Sequence, residues 1–358
     1  MRITIALRQF TDFVDATDTA VDVTTSIEVR TSNASCSKYF DKYCEVKDIE
    51  NPYCVYQKYK TDTEYEILNL SPKVHKLCRT CGLQQLHKYD RVINKIYGGR
   101  EAVPHSWPWM AGLFVWNNNN NNINTLFQRQ IHPQMICAST LISEKHAITA
   151  AHCLKNSLKC MQIVEKQWYP TQKTRNIRFF LRFGDHLRND QYFEPQIDIH
   201  VLRFMIYKSG VDSFDGDVAI LELERPVEFT PEIHPLCLPP PNLNLEEETG
   251  CIAVGWGLLD KNPPIFAQTL QEVEIEIASP AKCLSESQSF RLDMQVCALH
   301  SKTGVLNGDS GGGLYCKIHP DDQQWYLYGI ISYTQWPAGF SGFSRVPYYV
   351  EWIHENAK

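Results

Sequence analysis

The chain has 358 residues, enough for one large domain and a smaller one. It is 43% hydrophobic and 21% charged, with a formal net charge of −6 and no basic stripe, which excludes a polyanion-binding role. No run approaches the ~18 apolar residues that a membrane-spanning helix needs.

Thirteen cysteines point to an oxidising compartment, so the chain is expected to be secreted. They do not group into paired CxxC motifs, and the single close pair is Cys78-x-x-Cys81, so structural zinc is not expected. The opening "MRITIALRQF" is less apolar than the ~7–15-residue core of a signal peptide. Either the start lies elsewhere or the export signal is unconventional. Asn33-Ala-Ser and Asn69-Leu-Ser are sequons, which makes Asn33 and Asn69 candidate glycosylation sites.

In chain order, residues 1–35 are rich in Thr, Asp and Ser and read as a leader or a disordered segment. Residues 36–80 hold Cys36, Cys44, Cys54 and Cys78, with Cys81 just after. So short a segment buries little core, and this density reads as a small disulfide-stapled module. Residues 81–95 form a polar linker. From Ile96 onward the pattern is all-β. In "QEVEIEIAS", Val273, Ile275 and Ile277 alternate with Glu272, Glu274 and Glu276. "IRFFLRFG", "DVAILEL", "CIAVGWG" and "WYLYGIISY" are further strands between turn-rich stretches. The run "WNNNNNNINT" reads as a surface insertion. A late helix is expected over "VPYYVEWIHENAK", with Val346, Val350 and Ile353 on one face.

Three segments carry chemistry together: "ITAAHC" with His152, "GDVAILEL" with Asp217, and "GDSGG" with Ser310. A serine hydroxyl is a poor nucleophile at neutral pH and needs a base, which a carboxylate must hold in the right tautomer. Glycines beside the serine let backbone N–H groups approach a developing oxyanion. Gly308-x-Ser310-x-Gly312 also matches the elbow of α/β-hydrolases, but that class needs its histidine last, and only 48 residues follow Ser310.

In motifs and order, Cys81 to Lys358 resembles the chymotrypsin (trypsin-like) family of serine endopeptidases. The resemblance implies two six-stranded antiparallel β-barrels with a C-terminal helix, and a protease domain over residues 96–358. It implies Ser310 as nucleophile, His152 as base, Asp217 as orienting carboxylate, and an oxyanion hole from the amides of Gly308 and Ser310. Ser332 matches the serine that hydrogen-bonds the buried aspartate. "NKIYGG" matches the activation site: cleavage after Lys95 would free Ile96, whose ammonium would pair with Asp309. Protein substrates, an activating trypsin-like protease and protein inhibitors are the implied partners.

By the same resemblance, Cys137 pairs with Cys153, Cys251 with Cys316, Cys283 with Cys297, and Cys81 with Cys237. The module cysteines weakly resemble a ShK-type or clip-like unit, and Cys160 stays unassigned. Many members carry a cysteine four residues before the serine and an Asp six before it. Here Leu306 and Gly304 stand there, so the pocket lacks both its staple and its charge. Gly304 and Val305 are similar to elastase-type members, and Thr334 sits where a larger residue narrows the pocket. This implies small or medium apolar P1 residues, not Arg or Lys. Gly313 replaces a usual proline and is expected to loosen the loop. Asp185 and Glu194 fall where some members bind calcium; no other cofactor is implied. The alternative is a catalytically weak homologue regulating a proteolytic cascade, though such proteins usually lack a triad residue.

Overall fold

The computed structural model describes residues 56–58, 65–67, 81–84, 95–96, 99–117, 133–158, 161–174, 177–188, 195–208, 214–245, 250–261, 263–299, 305–319, 321–335 and 339–358. Asn33, Asn69, Cys36, Cys44, Cys54, Cys78, Cys160, Glu194, Gly304 and the asparagine run from residue 118 on lie outside them.

Twelve strands form two circuits of six, one within a seven-stranded and one within an eight-stranded sheet. The first set is β1 (Met110–Asn117), β2 (Gln134–Leu141), β3 (His146–Thr149), β4 (Ile177–Phe183), β5 (Ile197–Ile206) and β6 (Ala219–Leu223). The second is β7 (Gly250–Gly255), β8 (Gln271–Glu276), β9 (Gln295–Leu299), β10 (Gly313–Cys316), β11 (Tyr326–Gln335) and β12 (Phe340–Arg345). The first runs β6-β3-β2-β1-β4-β5 and closes on itself through β5–β6 pairing. The second follows the same circuit shifted by six, β12-β9-β8-β7-β10-β11, but its ends β8 and β9 meet only at the bridge Ile277–Ala298. All pairings within both circuits are antiparallel, so the all-β, two-barrel expectation is met, with the second barrel nearly open at one seam.

Alternation sets the inward faces. Ile275 and Ile277 are buried as expected, while Glu274 and Glu276 are exposed. Glu272 departs from that pattern. It binds the Arg100 guanidinium and accepts from Trp107 Nε1 at 2.8 Å, which locks the short strand Gly99–Glu101 onto β8. The C-terminal helix, Val346–Asn356, buries Val346, Val350 and Ile353 completely, and its Tyr349 meets the Tyr207 ring edge-on at 4.9 Å. Two short helices escape the periodicity argument, Ala151–Ser157 and Pro280–Glu286. The second is capped by Ser279, which accepts from the Lys282 amide at 3.3 Å ahead of Pro280.

The linker is fastened at its start. Gly82, at φ +70°, donates to the Pro235 carbonyl at 2.9 Å and accepts from the Trp325 amide at 2.8 Å. Gln324 donates to the Cys81 carbonyl at 3.2 Å, beside the Cys81–Cys237 disulfide. Cys137–Cys153, Cys251–Cys316 and Cys283–Cys297 are the other bridges among the described residues.

Gly313 does not loosen its loop; it opens buried β10. The Tyr315 ring lies so close that a Cβ on Gly313 would sit 2.0 Å from it. That ring is held between Trp107 and Trp109, and its hydroxyl reaches Thr140 Oγ1 of the first sheet at 3.0 Å. Glycine is required here by space. Gly313→Ala should lower the unfolding free energy by ~1–3 kcal/mol, the usual cost of overpacking. Urea denaturation checks it, and an unchanged midpoint refutes it.

Candidate active site

Strand pairing brings the first two chemical groups together. β3 lies beside β6, with Thr149 opposite Ala219. His152 stands in the first turn of the helix that follows β3, and Asp217 lies just before β6, after a turn through Gly216 at φ +69°. His152 Nδ1 lies 2.7 Å from Asp217 Oδ2, and the His152 amide donates to Asp217 Oδ1 at 2.8 Å. The second sheet completes the shell: Ser332 Oγ donates to Asp217 Oδ2 at 2.6 Å and Ser344 Oγ to the Asp217 carbonyl at 3.1 Å.

Asp217 is buried, and desolvation alone would raise its pKa. The hydrogen bonds and charge of His152, helped by Ser332, outweigh that and hold the carboxyl below its usual range. An ionised Asp217 accepts the Nδ1 proton, which leaves Nε2 as the basic nitrogen.

Ser310 lies in the turn entering β10, and its carbonyl accepts from the Ala138 amide of β2 at 2.9 Å. The turn depends on two left-handed glycines, Gly308 at φ +103° and Gly311 at φ +79°. A Cβ on Gly311 would meet Thr149 Oγ1 and the Ala138 carbonyl at 2.2 and 2.4 Å, so glycine lets the serine turn press against the first barrel.

Asp309 points the other way, into the second barrel. Its carboxylate accepts from the amides of Gly257 at 2.7 Å and Leu306 at 2.9 Å. Side chains on Gly255 or Gly257 would collide with it. Burial pushes its pKa up to about 6, against the two amides and the charge of Arg188. The carboxylate borders a cleft lined by Gly99, Val254, Leu258, Val273 and Val305. Lys95 and Ile96 pair through their backbones with Arg100 and Gly99.

Across the turn, Val305 and Leu306 are buried, and Thr334 Oγ1 donates to the Val305 carbonyl at 3.0 Å, with Ser341 Oγ at 3.4 Å. A hydrogen bond thus ties the two walls at this level, where no disulfide is available from Leu306. Asp185 is buried. Among the described residues, Cys137, Cys153 and His152 are the one set of metal-binding types in close range, and the two cysteines are joined to each other.

Sequence reasoning passes over Phe214. It is 45% exposed, stacks on Tyr333 at 4.5 Å and stands edge-on to His152 at 6.4 Å. An apolar ring in the polar run "DSFDGD" was the available signal. Arg188 and Ser344 gave none, because their partners are distant in sequence.

A closed antiparallel barrel, a second sheet on the same circuit, a His–Asp pair and a glycine-held serine turn are together the features of the chymotrypsin-type serine endopeptidases. The family model for trypsin matches residues 96–353, and the chain belongs to that family. It is similar to tissue-type plasminogen activator of Mus musculus, 27% identical over 355 residues, covering 92% of this chain and 55% of that protein. It is also similar to Limulus clotting factor C of Carcinoscorpius rotundicauda, 28% identical over 279 residues, covering 73% of this chain and 25% of that protein. The chain spans about half or less of the length of these relatives. No helix among the described residues is long and apolar enough to cross a membrane.

Gly311→Ala should both strain the turn and push it off Thr149 and Ala138. The expected outcome is a loss of ~1–3 kcal/mol in stability and loss of fluorophosphonate labelling at Ser310. Labelling at the parent rate would show that the close approach is unnecessary.

Proposed function

We propose that this chain is a secreted zymogen of a serine endopeptidase, with Ser310 as nucleophile, His152 as general base and then acid, and Asp217 as the orienting carboxylate. The supporting observation is the buried Asp217 carboxylate, which takes the His152 amide, the His152 ring and the Ser332 hydroxyl at once. By the mechanism established for the family, Ser310 Oγ attacks the scissile carbonyl while its proton passes to His152 Nε2. The amides of Gly308 and Ser310 receive the oxyanion. His152 returns the proton to the leaving amine, and water then releases the acyl group.

Activation is assigned to cleavage after Lys95. The new ammonium of Ile96 is the cation that Asp309 needs: a buried carboxylate with two amide donors, beside a cleft that includes Gly99, Val254, Glu272 and Val305. Glu272 holds Arg100, four residues from Ile96, and such a leash reaches at most ~14 Å. Cys81–Cys237 keeps the cysteine-rich module, residues 36–80, attached after the cut. Glycosylation at Asn33 and Asn69 belongs to the same secreted reading.

The P1 pocket assigned to this wall has Val305, Thr334 and Ser341 along it, none of which carries a charge to compensate a buried Arg or Lys. Small and medium apolar P1 residues, Val, Ala, Thr and Leu, are the expected substrates. The Lys95-cleaved protein should label with fluorophosphonate at Ser310 and cut a peptide library after those residues. Unlabelled Ser310 sinks the enzyme reading, and dominant Arg or Lys at P1 sinks the pocket argument.

Asp309 also makes the uncleaved chain pH-sensitive. Burial pushes its folded carboxyl up to about 6 from the ordinary 3.8, so the folded state holds the proton more tightly. Its contribution is therefore most favourable below pH ~4 and is lost as pH rises toward ~6, by up to ~3 kcal/mol. Urea unfolding of uncleavable Lys95→Gln protein should show this slope, and adding Asp309→Asn should flatten it. An equal slope in both proteins refutes the assignment.

A further inference from the structure

The turn that presents Ser310 contains the single Asn-Gly pair in this chain, Asn307-Gly308. The backbone nitrogen after an asparagine can attack the side-chain amide carbon, because the two lie close along the chain and close an unstrained five-membered ring. A Cβ on the following residue hinders that approach, and glycine has none. Reaction then depends on whether the two groups are free.

Both are. Asn307 is exposed, and its side chain bonds to none of the described residues. The amides around it are committed: Leu306 donates to Asp309 Oδ2 at 2.9 Å, and Asp309 to the Leu306 carbonyl at 3.1 Å. The amides of Gly308 and Ser310 donate to none of the described residues, as an oxyanion hole awaiting its ligand requires. The turn is also held in one shape. The Leu258 amide donates to the Asn307 carbonyl at 2.9 Å, and Gly308 sits at φ +103°.

We propose that Asn307-Gly308 is a self-modification site, where deamidation of Asn307 uses the oxyanion-hole amide of Gly308 as its nucleophile and switches the protease off. This rests on the endopeptidase reading above. The Gly308 nitrogen gives up its proton and bonds to Asn307 Cγ. The Cγ–Nδ2 bond breaks, and ammonia leaves with the proton. The cyclic imide has no N–H to offer an oxyanion. Water then opens it, and no oxidant, reductant or cofactor enters. Opening at Cγ gives aspartate, which restores the N–H but sets a carboxylate beside the developing oxyanion. Opening at the main-chain carbonyl gives isoaspartate, whose backbone is one atom longer, so the Gly308 amide is carried off its place.

An occupied hole should protect the site, because an acceptor on the Gly308 N–H holds the proton that cyclisation must remove. Phosphonylated Ser310 supplies such an acceptor and should slow deamidation about tenfold, the worth of one hydrogen bond. The enzyme is thereby spared while it turns over and decays when idle.

The test incubates full-length protein cleaved at Lys95 at neutral pH, beside a synthetic peptide of residues 304–310 that sets the clock. Isoaspartate at position 307 is read by enzymatic methyl transfer and peptide mapping, and activity by cleavage of a peptidyl p-nitroanilide. The modified fraction should rise and kcat should fall in step with it, because a lost oxyanion donor costs about 10²–10³-fold. Asn307→Gln must close a larger ring and should keep its starting activity while the parent loses half. The proposal is overturned by an intact Asn307 once half of the free peptide has converted, or by isoaspartate that accumulates with kcat unchanged. Equal loss of activity in Asn307→Gln, or deamidation of the phosphonylated protein at the parent rate, overturns it too. A parent that neither labels with fluorophosphonate nor cleaves at time zero overturns the endopeptidase reading, and the switch with it, whatever the isoaspartate content.

Discussion

The molecule is organised around one buried carboxylate. Asp217 takes an amide and a ring nitrogen from the first barrel and a hydroxyl from the second, while Ser344 holds its carbonyl. An unpaired carboxylate at that depth would be prohibitive, and each donor removes part of the cost. The two barrels are therefore registered at the point where the histidine must be aimed. Stability and alignment are the same set of bonds.

Asp309 is the instructive contrast. Both aspartates are buried, yet Asp217 is held below its usual range while Asp309 is pushed up to about 6. Two neutral amides satisfy the geometry of Asp309 and the charge of Arg188 only partly offsets its burial, whereas Asp217 has the His152 ring bonded directly against it. Depth alone does not decide the state of a buried acid. The same short segment thus holds a serine turned toward one barrel and an unbalanced charge turned toward the other.

Much of this was legible in the sequence. Alternation marked β8, and apolar runs marked β4, β6, β7 and β11, because period two survives wherever one sheet face meets a core. The motifs at His152, Asp217 and Ser310 were legible because glycines and flanking residues leave a local signature. What escaped was set by contacts distant in sequence. Glu272 reads as a solvent-facing strand residue, yet it binds Arg100 and Trp107, which lie 172 and 165 positions away. Gly313 reads as slack, but the ring two residues later occupies the space of its side chain. Helix Ala151–Ser157 is too short for a 3.6-residue period to show, and Phe214 gains meaning only beside Tyr333.

The Cys81–Cys237 bridge spans 156 positions, and the serine-turn, pocket and β10–β12 segments all lie beyond that ring. Any single backbone cut inside the ring opens a macrocycle without creating a second molecule. Unfolding and refolding of the nicked form then stay first order, and the midpoint is independent of dilution, unlike a complex held only by contacts. The restraint on the unfolded ensemble does change, because the closed loop that limited it is gone. Nicking therefore alters the topology of the chain while its reaction order stays the same.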